Sequence, residues 1–544
     1  MKRIKDSVHG NILVRDEFVK TILDTPSFQR LRRIEQTAIR SIFPSARHDR
    51  FIHSLGVYYI GQQIADHLVR EFFTGGAVNY EGYSKDDVER IVNSYLVACL
   101  LHDIAHAPFS HTFEKYYGQK QTLYDLLNGE LGNKLDGELK NVKRPNYHEY
   151  ASAIVVCKEY KPDVIEGVLK ADIELVCRMI IGAYYEREKN KHELHNCFIS
   201  LLHGDVVDAD RIDYACRDVW ASGYSTSSID VDRVVSSIHI KREPKTQELC
   251  VCFDCNGLTE IRNMLDVRQF QNRYVINHHS VQYEQKLMVL AAEKAALEMY
   301  KDAGSGAEAL QRIVHIDRCH SGNYFSDEDL LQVMKSDPGN AYYQEYSSRQ
   351  YRRFAVWKTT DEFFHYFPDV PRKMDLTHAE FEEKVRKALS EMMNPDDIII
   401  LDVTYKPAVN LKSLYLIVNE DMVRYTDIHP ELQVDLGDCE VDLGFYYIYV
   451  PKPTDSKANL DEERKKIADL LKPVFADLYP ASNAEYRIYD FMQTAMIKGF
   501  ELLNKDNPEE AEKKKNQVRE MSKKITRLEE FFEASGLKGL VDKF

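Results

Sequence analysis

Three histidines and an aspartate crowd the stretch Leu100-Leu101-His102-Asp103-Ile104-Ala105-His106-Ala107-Pro108-Phe109-Ser110-His111. The run before it, Tyr95 to Leu101, is apolar, so His102 and Asp103 sit side by side at the edge of a core. Burying such a pair is costly unless something neutralises it. A divalent metal suits both side chains, because imidazole nitrogen and carboxylate oxygen are its usual ligands. His53, at the start of an amphipathic helix with Leu55, Tyr58, Ile60 and Ile64, is one candidate to complete the set. In Asp208-Ala209-Asp210-Arg211-Ile212-Asp213-Tyr214, the acids Asp210 and Asp213 share a helical face with Tyr214 or Arg217. Those acids call for metal, Arg or Lys partners, and a lattice of salt bridges with Arg211 and Arg217 is the competing account. His48-Asp49 follows Pro44 in a polar, Arg-flanked turn and reads as a loop dipeptide, not a metal site.

The elements that must position these groups are mostly helical. Pro26 after Thr25 starts a helix carrying Phe28, Leu31 and Ile34, beside which Gln29, Arg32 and Arg33 read as a solvated face. If the helix before His102 continues through it, His102 and His106 share a face; Pro108 should then end it and leave His111 on a turn. Residues 117–145 read as a polar excursion, and His148 opens a further helix. Residues 258–300 form a long helical pattern that includes Arg268. The Cys250-x-Cys252-x-x-Cys255 run lies in a strand-like segment without a second cysteine cluster, which favours a hairpin over a zinc knuckle. After residue 304 strand-like runs appear at Ile398–Tyr405, Ser413–Val418 and Gly444–Val450. From Asn459, with Glu462 at N3 spacing, the chain is helical again. There Val518, Met521, Ile525, Leu528 and Phe532 step by three and four, a face for the body or a sister subunit. The expected fold is mainly α: a helical catalytic region over 1–303, a smaller α+β accessory region over 304–455 and a helical C-terminal region over 456–544.

At 544 residues the chain is too long for one ordinary core. Its net charge of −15 argues against long nucleic acid as a partner. No apolar run approaches the ~20 residues of a membrane span. The basic N-terminus lacks an apolar segment after it, and the scattered cysteines suit a reducing cytosol, so a cytoplasmic protein is expected.

The order His53 … His102-Asp103 … Asp210 resembles the signature of the HD-domain phosphohydrolases. With their flanks, Arg50-Phe51-Ile52-His53-Ser54-Leu55-Gly56-Val57, the Leu101 to His111 segment and Asp208 to Tyr214 are similar to the deoxynucleoside triphosphate triphosphohydrolases. These comprise the bacterial dGTPases and the animal SAM-and-HD-domain enzyme; no SAM domain is present here. The resemblance covers roughly residues 2 to 300 and implies an HD-domain helical core that cleaves dNTP to deoxynucleoside and inorganic triphosphate. It implies a divalent metal (Mn, Fe, Zn or Mg) on His53, His102, Asp103 and Asp210, with His111 as the acid for the leaving 5′ oxygen. His148 and Glu114 would orient that acid. His106, Arg50, Arg211, Tyr214 and Arg268 would surround the triphosphate, and Gln36 and Asp218 the sugar. Lys2, Asp24, Gln29 and Arg32 match a site for an activating guanine nucleotide between subunits of a homo-oligomer (dimer, tetramer or hexamer). Arg233 and Arg352 match part of a second effector site, although Asp254 and Asn256 fall where that site is basic.

Three positions depart from the pattern: Thr37 replaces a leucine, Ile276 a tyrosine and Arg211 a lysine. The first two leave discrimination against ribose open. The alternatives are an HD phosphohydrolase acting on a ribonucleotide, a nucleotide signal or a single-stranded nucleic acid end, or a nucleotide-sensing regulatory protein. The presence of all four ligands and His111 argues against the last. Antiviral defence by dNTP depletion is one role the resemblance allows.

Overall fold

The computed structural model describes the chain apart from residues 41, 74–81, 136–144, 161, 187, 225–227, 321, 323, 368–377, 406–410, 430–442, 454–457, 478–511 and 514–544. The Val518 to Phe532 pattern lies outside the described residues. The protein is mainly α-helical and divides into two compact units. One comprises Met1–Ile276, Tyr283–Arg349 and Ala408–Ile428; the other comprises Asn277–Gln282, Gln350–Pro407 and His429–Phe544.

The first unit opens with an antiparallel hairpin, β1 (Lys2–Asp6) and β2 (Gly10–Val14). Helix α1 (Pro26–Arg30) starts as expected: Thr25 caps the Phe28 N–H, Pro26 fills the first turn, and Phe28 and Leu31 are buried. Helices α2 (Arg50–Phe73), α3 (Lys85–Leu101), α4 (Tyr147–Glu159), α5 (Ile173–Ile181), α6 (Glu193–Leu202) and α7 (Ala209–Ser222) follow. Helix α2 packs on α3 and α7, and α3 packs on α5 and α6. A glycine makes the α2–α7 approach possible. A Cβ on Gly56 would stand 1.9 Å from Asp213 Oδ1 and 2.4 Å from Arg217 Nη2, so any larger residue would push α7 away.

Next come β3 (Ile238–Arg242), β4 (Leu249–Asp254) and α8 (Leu258–Gln271). Strands β3 and β4 are an antiparallel hairpin, and β4 also pairs in parallel with Tyr415–Val418, beyond which lies Asp421–Arg424. Cys250 and Cys252 lie in β4 and Cys255 just after it, all three as free thiols, in keeping with a hairpin.

Residues 304–349 belong to this unit by their bonds as well as their position. Arg30 Nε donates to the Phe325 carbonyl at 2.6 Å, and the buried Asp327 carboxylate accepts from the Glu35 and Phe109 N–H groups.

Three local expectations are corrected. Helix α3 stops at Leu101, so His102 and His106 lie on the turns that follow and do not share a helical face. A helix at Lys120–Glu130, with Leu123 and Leu127 buried, occupies part of the presumed polar excursion. The pattern over 258–300 is interrupted: α8 ends at Gln271, a wide turn spans Asn272–Ile276, and the next helix is His279–Met299.

In the second unit, Leu443–Pro451 lies between Arg353–Ala355 and Ile399–Tyr405 in an antiparallel sheet. Trp357, Phe363, Phe367, Phe381 and Phe475 form its aromatic core. The helix Leu460–Asp477 begins where Asn459 predicts, with the Asp461 N–H donating to Asn459 Oδ1 at 3.1 Å. No helix among the described residues is long and apolar enough to cross a membrane.

Candidate active site

Helix α2 presents His53, the end of α3 presents His102 and Asp103, and the first turn of α7 presents Asp210. His53 Nδ1 donates to Asp213 Oδ2 at 2.7 Å, and His102 Nδ1 donates to the Cys99 carbonyl at 3.0 Å. Those bonds assign both tautomers and leave a lone pair on each Nε2. The two Nε2 atoms nevertheless face each other at 3.4 Å. Asp210 Oδ1 is 3.0 Å from His53 Nε2 and 3.7 Å from His102 Nε2; Asp103 Oδ2 is 3.6 and 3.5 Å from the same atoms. Ligand atoms about 2.1 Å from one ion stand about 3.0 Å apart at right angles and about 3.4 Å apart at tetrahedral angles. His53, His102 and Asp210 bring one ligand atom each within reach of a single divalent cation, and Asp103 Oδ2, which also accepts from Arg50, lies beside both imidazoles.

The electrostatics agree. Burial alone would favour neutral His53, but Asp210 and Asp213 outweigh it and push its pKa up to about 10. The carboxylates thus call for positive charge at this point, which an ion meets as well as a proton does. Burial also works against ionised Asp103, yet Arg50 and the neighbouring histidines hold it well below the usual carboxylate range. Asp210 is 35% exposed, so one side of the cluster is open.

Behind His53 stands a buried network built on Asp213. Asp213 accepts from His53, from His9 Nε2 at 2.6 Å and from Arg217 Nε and Nη2, each at 2.8 Å. Arg217 also donates to both oxygens of Asp6, at 2.9 and 3.2 Å. The salt-bridge lattice and the metal-type site therefore coexist: Asp213 and Arg217 belong to the first, Asp210 to the second. Such carboxylates set the orientation and basicity of metal-ligating histidines. The parts played by Asp6 and His9 went unnoticed, since one buried acid and one histidine at a hairpin turn leave no local pattern.

A second cluster lies beside the first. His111 Nδ1 and His148 Nδ1 each donate at 2.7 Å to one oxygen of Glu114. The His106 ring stacks on His148 with centroids 4.1 Å apart and meets His111 edge-on at 4.9 Å. Both His106 nitrogens are buried without a hydrogen bond, and burial, Arg50 and His148 keep that imidazole neutral. Burial would lower His148 too, but Glu114 raises it to about 9. Glu114, despite burial, is held low by the two histidines. His111 is 64% exposed. Asp103 joins the clusters, its Oδ1 lying 3.9 Å from His106 Nε2. The four residues could themselves accept a metal.

Unusual backbone delivers these rings. Phe109 and Ser110 are both left-handed, at φ 53° and 54°, a conformation that persists in non-glycine residues only when surroundings enforce it. Here the Phe109 N–H is held by Asp327 at 2.7 Å, and Ser110 Oγ is bonded to Arg50 Nε and the Glu35 carbonyl. Arg30, completely buried, donates to the His106 carbonyl at 2.7 Å. Neither Asp327 nor Arg30 carries a sequence signal, because their partners lie far along the chain.

The remaining predicted groups are distributed as follows. Arg50 is engaged internally, by Asp103 at 2.5 Å, Ser110 and the Gln36 carbonyl. Gln36 is buried and its Oε1 lacks a partner. Asp210, Tyr214 and Asp218 follow one face of α7, where Asp218 accepts from His48 Nε2 at 2.8 Å. The Arg268 guanidinium lies 6.0 Å from the Tyr214 ring centroid. Arg268 keeps a buried Nη1 without a hydrogen bond, while Arg211 Nη1 is ion-paired with Asp208 Oδ2 at 3.4 Å. Lys2 pairs loosely with Asp24 at 3.5 Å, Gln29 bonds to the Leu23 carbonyl, and Arg32 bonds to Gln29 Oε1 while stacking on Phe51. These four lie on one surface. Arg233 donates to the Asn256 carbonyl, and Asp254 is paired with His239; Arg352 lies in the second unit.

Residues 50–214 match the HD domain family. A Methanocaldococcus jannaschii protein described as uncharacterized is 24% identical over 87% of this chain and 84% of its own. The Bacillus subtilis protein YwfO, likewise uncharacterized, is 32% identical over 43% of each chain. Human deoxynucleoside triphosphate triphosphohydrolase SAMHD1 is 26% identical over 62% of this chain and 51% of its own. The chain thus spans about half or less of the last two relatives. Among solved structures, a hypothetical protein from Aquifex aeolicus matches with a TM-score of 0.54 at 19% identity, covering 87% of this chain and 100% of that one. A phosphohydrolase from Bacteroides thetaiotaomicron matches with a TM-score of 0.55 at 17% identity, covering 83% and 100%. The structural matches bear on the fold alone. Over residues 50–214 the chain is thus similar to the HD domain family, and beyond that it shares partial similarity with human SAMHD1.

Proposed function

We propose that this chain hydrolyses deoxynucleoside triphosphates to deoxynucleoside and inorganic triphosphate, with nucleotide activation and a homo-oligomeric assembly. The observation that carries the reading is the meeting of two imidazole lone pairs with Asp103 and Asp210 beside the His111–Glu114–His148 relay. A divalent ion at the first cluster would polarise a phosphoryl oxygen and lower the pKa of a water. Arg268, with a nitrogen to spare, and Arg211, whose Nη1 pairs with Asp208, would receive phosphate oxygens. Glu114 fixes His111 through Nδ1, leaving Nε2 to pass a proton to the departing 5′ oxygen. His148, protonated at neutral pH, keeps a positive charge next to the phosphate. Lys2, Asp24, Gln29 and Arg32 would hold the guanine effector.

A ribonucleotide substrate is the second reading, favoured by Gln36 Oε1 and Thr37 Oγ1, both buried without partners and able to meet a 2′-hydroxyl. The test is purified protein with Mn²⁺ or Mg²⁺ and each NTP and dNTP, singly and in pairs, with products resolved by chromatography. Triphosphate plus nucleoside supports the proposal; monophosphate plus pyrophosphate, or no turnover, overturns it. Asp210→Ala should abolish the metal-dependent activity.

A further inference from the structure

A separate group of metal-type side chains lies at the far end of α2. His67 and Glu71, spaced i and i+4, share a face about 20 Å beyond His53 at 1.5 Å per residue. His239 of β3 stands against them. Its Nδ1 is 2.9 Å from Glu71 Oε1, its Nε2 is 3.1 Å from Asp254 Oδ2, and its ring meets that of His67 edge-on with centroids 5.7 Å apart. One ligand atom from each of His67, Glu71 and His239 falls within 4.8 Å of the others.

Three details go beyond an ordinary ion pair. Glu71 Oε2 is shielded from solvent and has no hydrogen bond, a costly state for a carboxylate oxygen that a cation would end. His67 Nε2 donates to the Ile238 carbonyl at 3.0 Å, so its Nδ1 keeps a lone pair when the ring is neutral. His239 has a carboxylate at each nitrogen, so one nitrogen can turn to a cation while the other stays backed by its acid, as metal-binding histidines are. Two imidazoles with carboxylate oxygens suit zinc and its borderline neighbours better than calcium or magnesium.

We propose that His67, Glu71 and His239, supported by Asp254, bind a second divalent cation of the zinc class that fastens the β3–β4 hairpin to the end of α2. The hairpin runs through Cys255–Gly257 into α8, so the cation braces the start of the helix that carries Arg268. This site stands whatever substrate the HD centre takes.

The test uses chelator-treated full-length protein titrated with Zn²⁺, with bound metal counted by atomic emission and thermal unfolding followed in parallel. Wild type should take up one more equivalent per chain than His67→Ala does. Asp210→Ala should retain one tightly bound equivalent and a Zn²⁺-dependent rise in Tm. Adding His67→Ala to that background should weaken the remaining Zn²⁺ by about 10–100-fold and remove the rise. Glu71→Gln, which preserves shape, provides the same measurement if His67→Ala folds poorly. Asp210→Ala protein that takes up no Zn²⁺, or uptake in that background indifferent to both His67→Ala and Glu71→Gln, overturns the proposal.

Discussion

Asp213 grips His53 from behind: its Oδ2 accepts from Nδ1 at 2.7 Å while the opposite face of the same ring turns Nε2 toward Asp210 Oδ1 at 3.0 Å. One imidazole thus links a closed network, fed by Arg217, His9 and Asp6, to a cluster open on one side. The acids are three residues apart on α7 and have different duties. Asp213 is completely buried and satisfied by protein donors, whereas Asp210 reaches the exposed side.

Asp213→Asn should therefore weaken metal binding by about 10–100-fold although Asp213 is not in the proposed ligand set. It should also cost about 3 kcal/mol of stability, the low end for a broken buried pair, because Asp6 still holds Arg217. Metal titration and denaturant unfolding of the same preparation read both effects. Unchanged metal affinity would reduce Asp213 to a structural salt bridge.

The Glu114–His148 pair sets a pH dependence of stability. Glu114 lifts His148, against the effect of burial, from 6.5 to about 9. The folded state therefore binds this proton more tightly than the unfolded chain does. The stabilisation is complete below about pH 6.5 and is lost as pH rises through about 9. Calorimetry over this range should show a falling Tm, and Glu114→Gln should flatten the fall while lowering kcat by about 10²–10⁴-fold. An unaltered slope in the variant would assign the dependence elsewhere.

Asp327 should act on the site through the backbone. Replacing it with Ala leaves the Phe109 and Glu35 N–H groups unpaired in the interior, at about 1–3 kcal/mol each, and removes the restraint on two left-handed residues. A clear fall in Tm is expected, together with a loss of kcat larger than any loss of metal affinity. Equal losses would place Asp327 in general folding rather than in positioning the loop that carries His106 and His111.

What was legible followed from residue type at short range. The His102-Asp103 pair at the end of an apolar run, and acids on one face of α7, point to a charged cluster before any fold is known. Helix α3 ends at Leu101 although Ile104 and Ala105 continue the apolar texture, because the loop is held by Arg30 and Asp327, which no local pattern connects to it. Sequence spacing likewise puts Asp210 and Asp213 on one face without saying which meets Nε2 of His53 and which meets Nδ1. That choice depends on how closely α7 approaches α2, which Gly56 permits. The Lys120–Glu130 helix was missed because only a narrow stripe, Leu123 and Leu127, is buried among polar residues.

Sugar selectivity offers the sharpest test of the departures from the family pattern. Thr37 stands where the resemblance places a leucine, and its Oγ1 is buried without a partner, as is Oε1 of the adjacent Gln36. An unpaired hydroxyl costs free energy in the empty site and is repaid only by a ligand that can bond to it. A 2′-hydroxyl does so and a 2′-hydrogen does not, so Thr37 should narrow the preference for deoxynucleotides. Thr37→Leu should raise the ratio of kcat/KM for dGTP over GTP about fivefold, the equivalent of one neutral hydrogen bond of about 1 kcal/mol. The ratio is the informative quantity, since repacking alone would change both substrates together. A ratio that stays constant while both rates fall would remove Thr37 from the sugar.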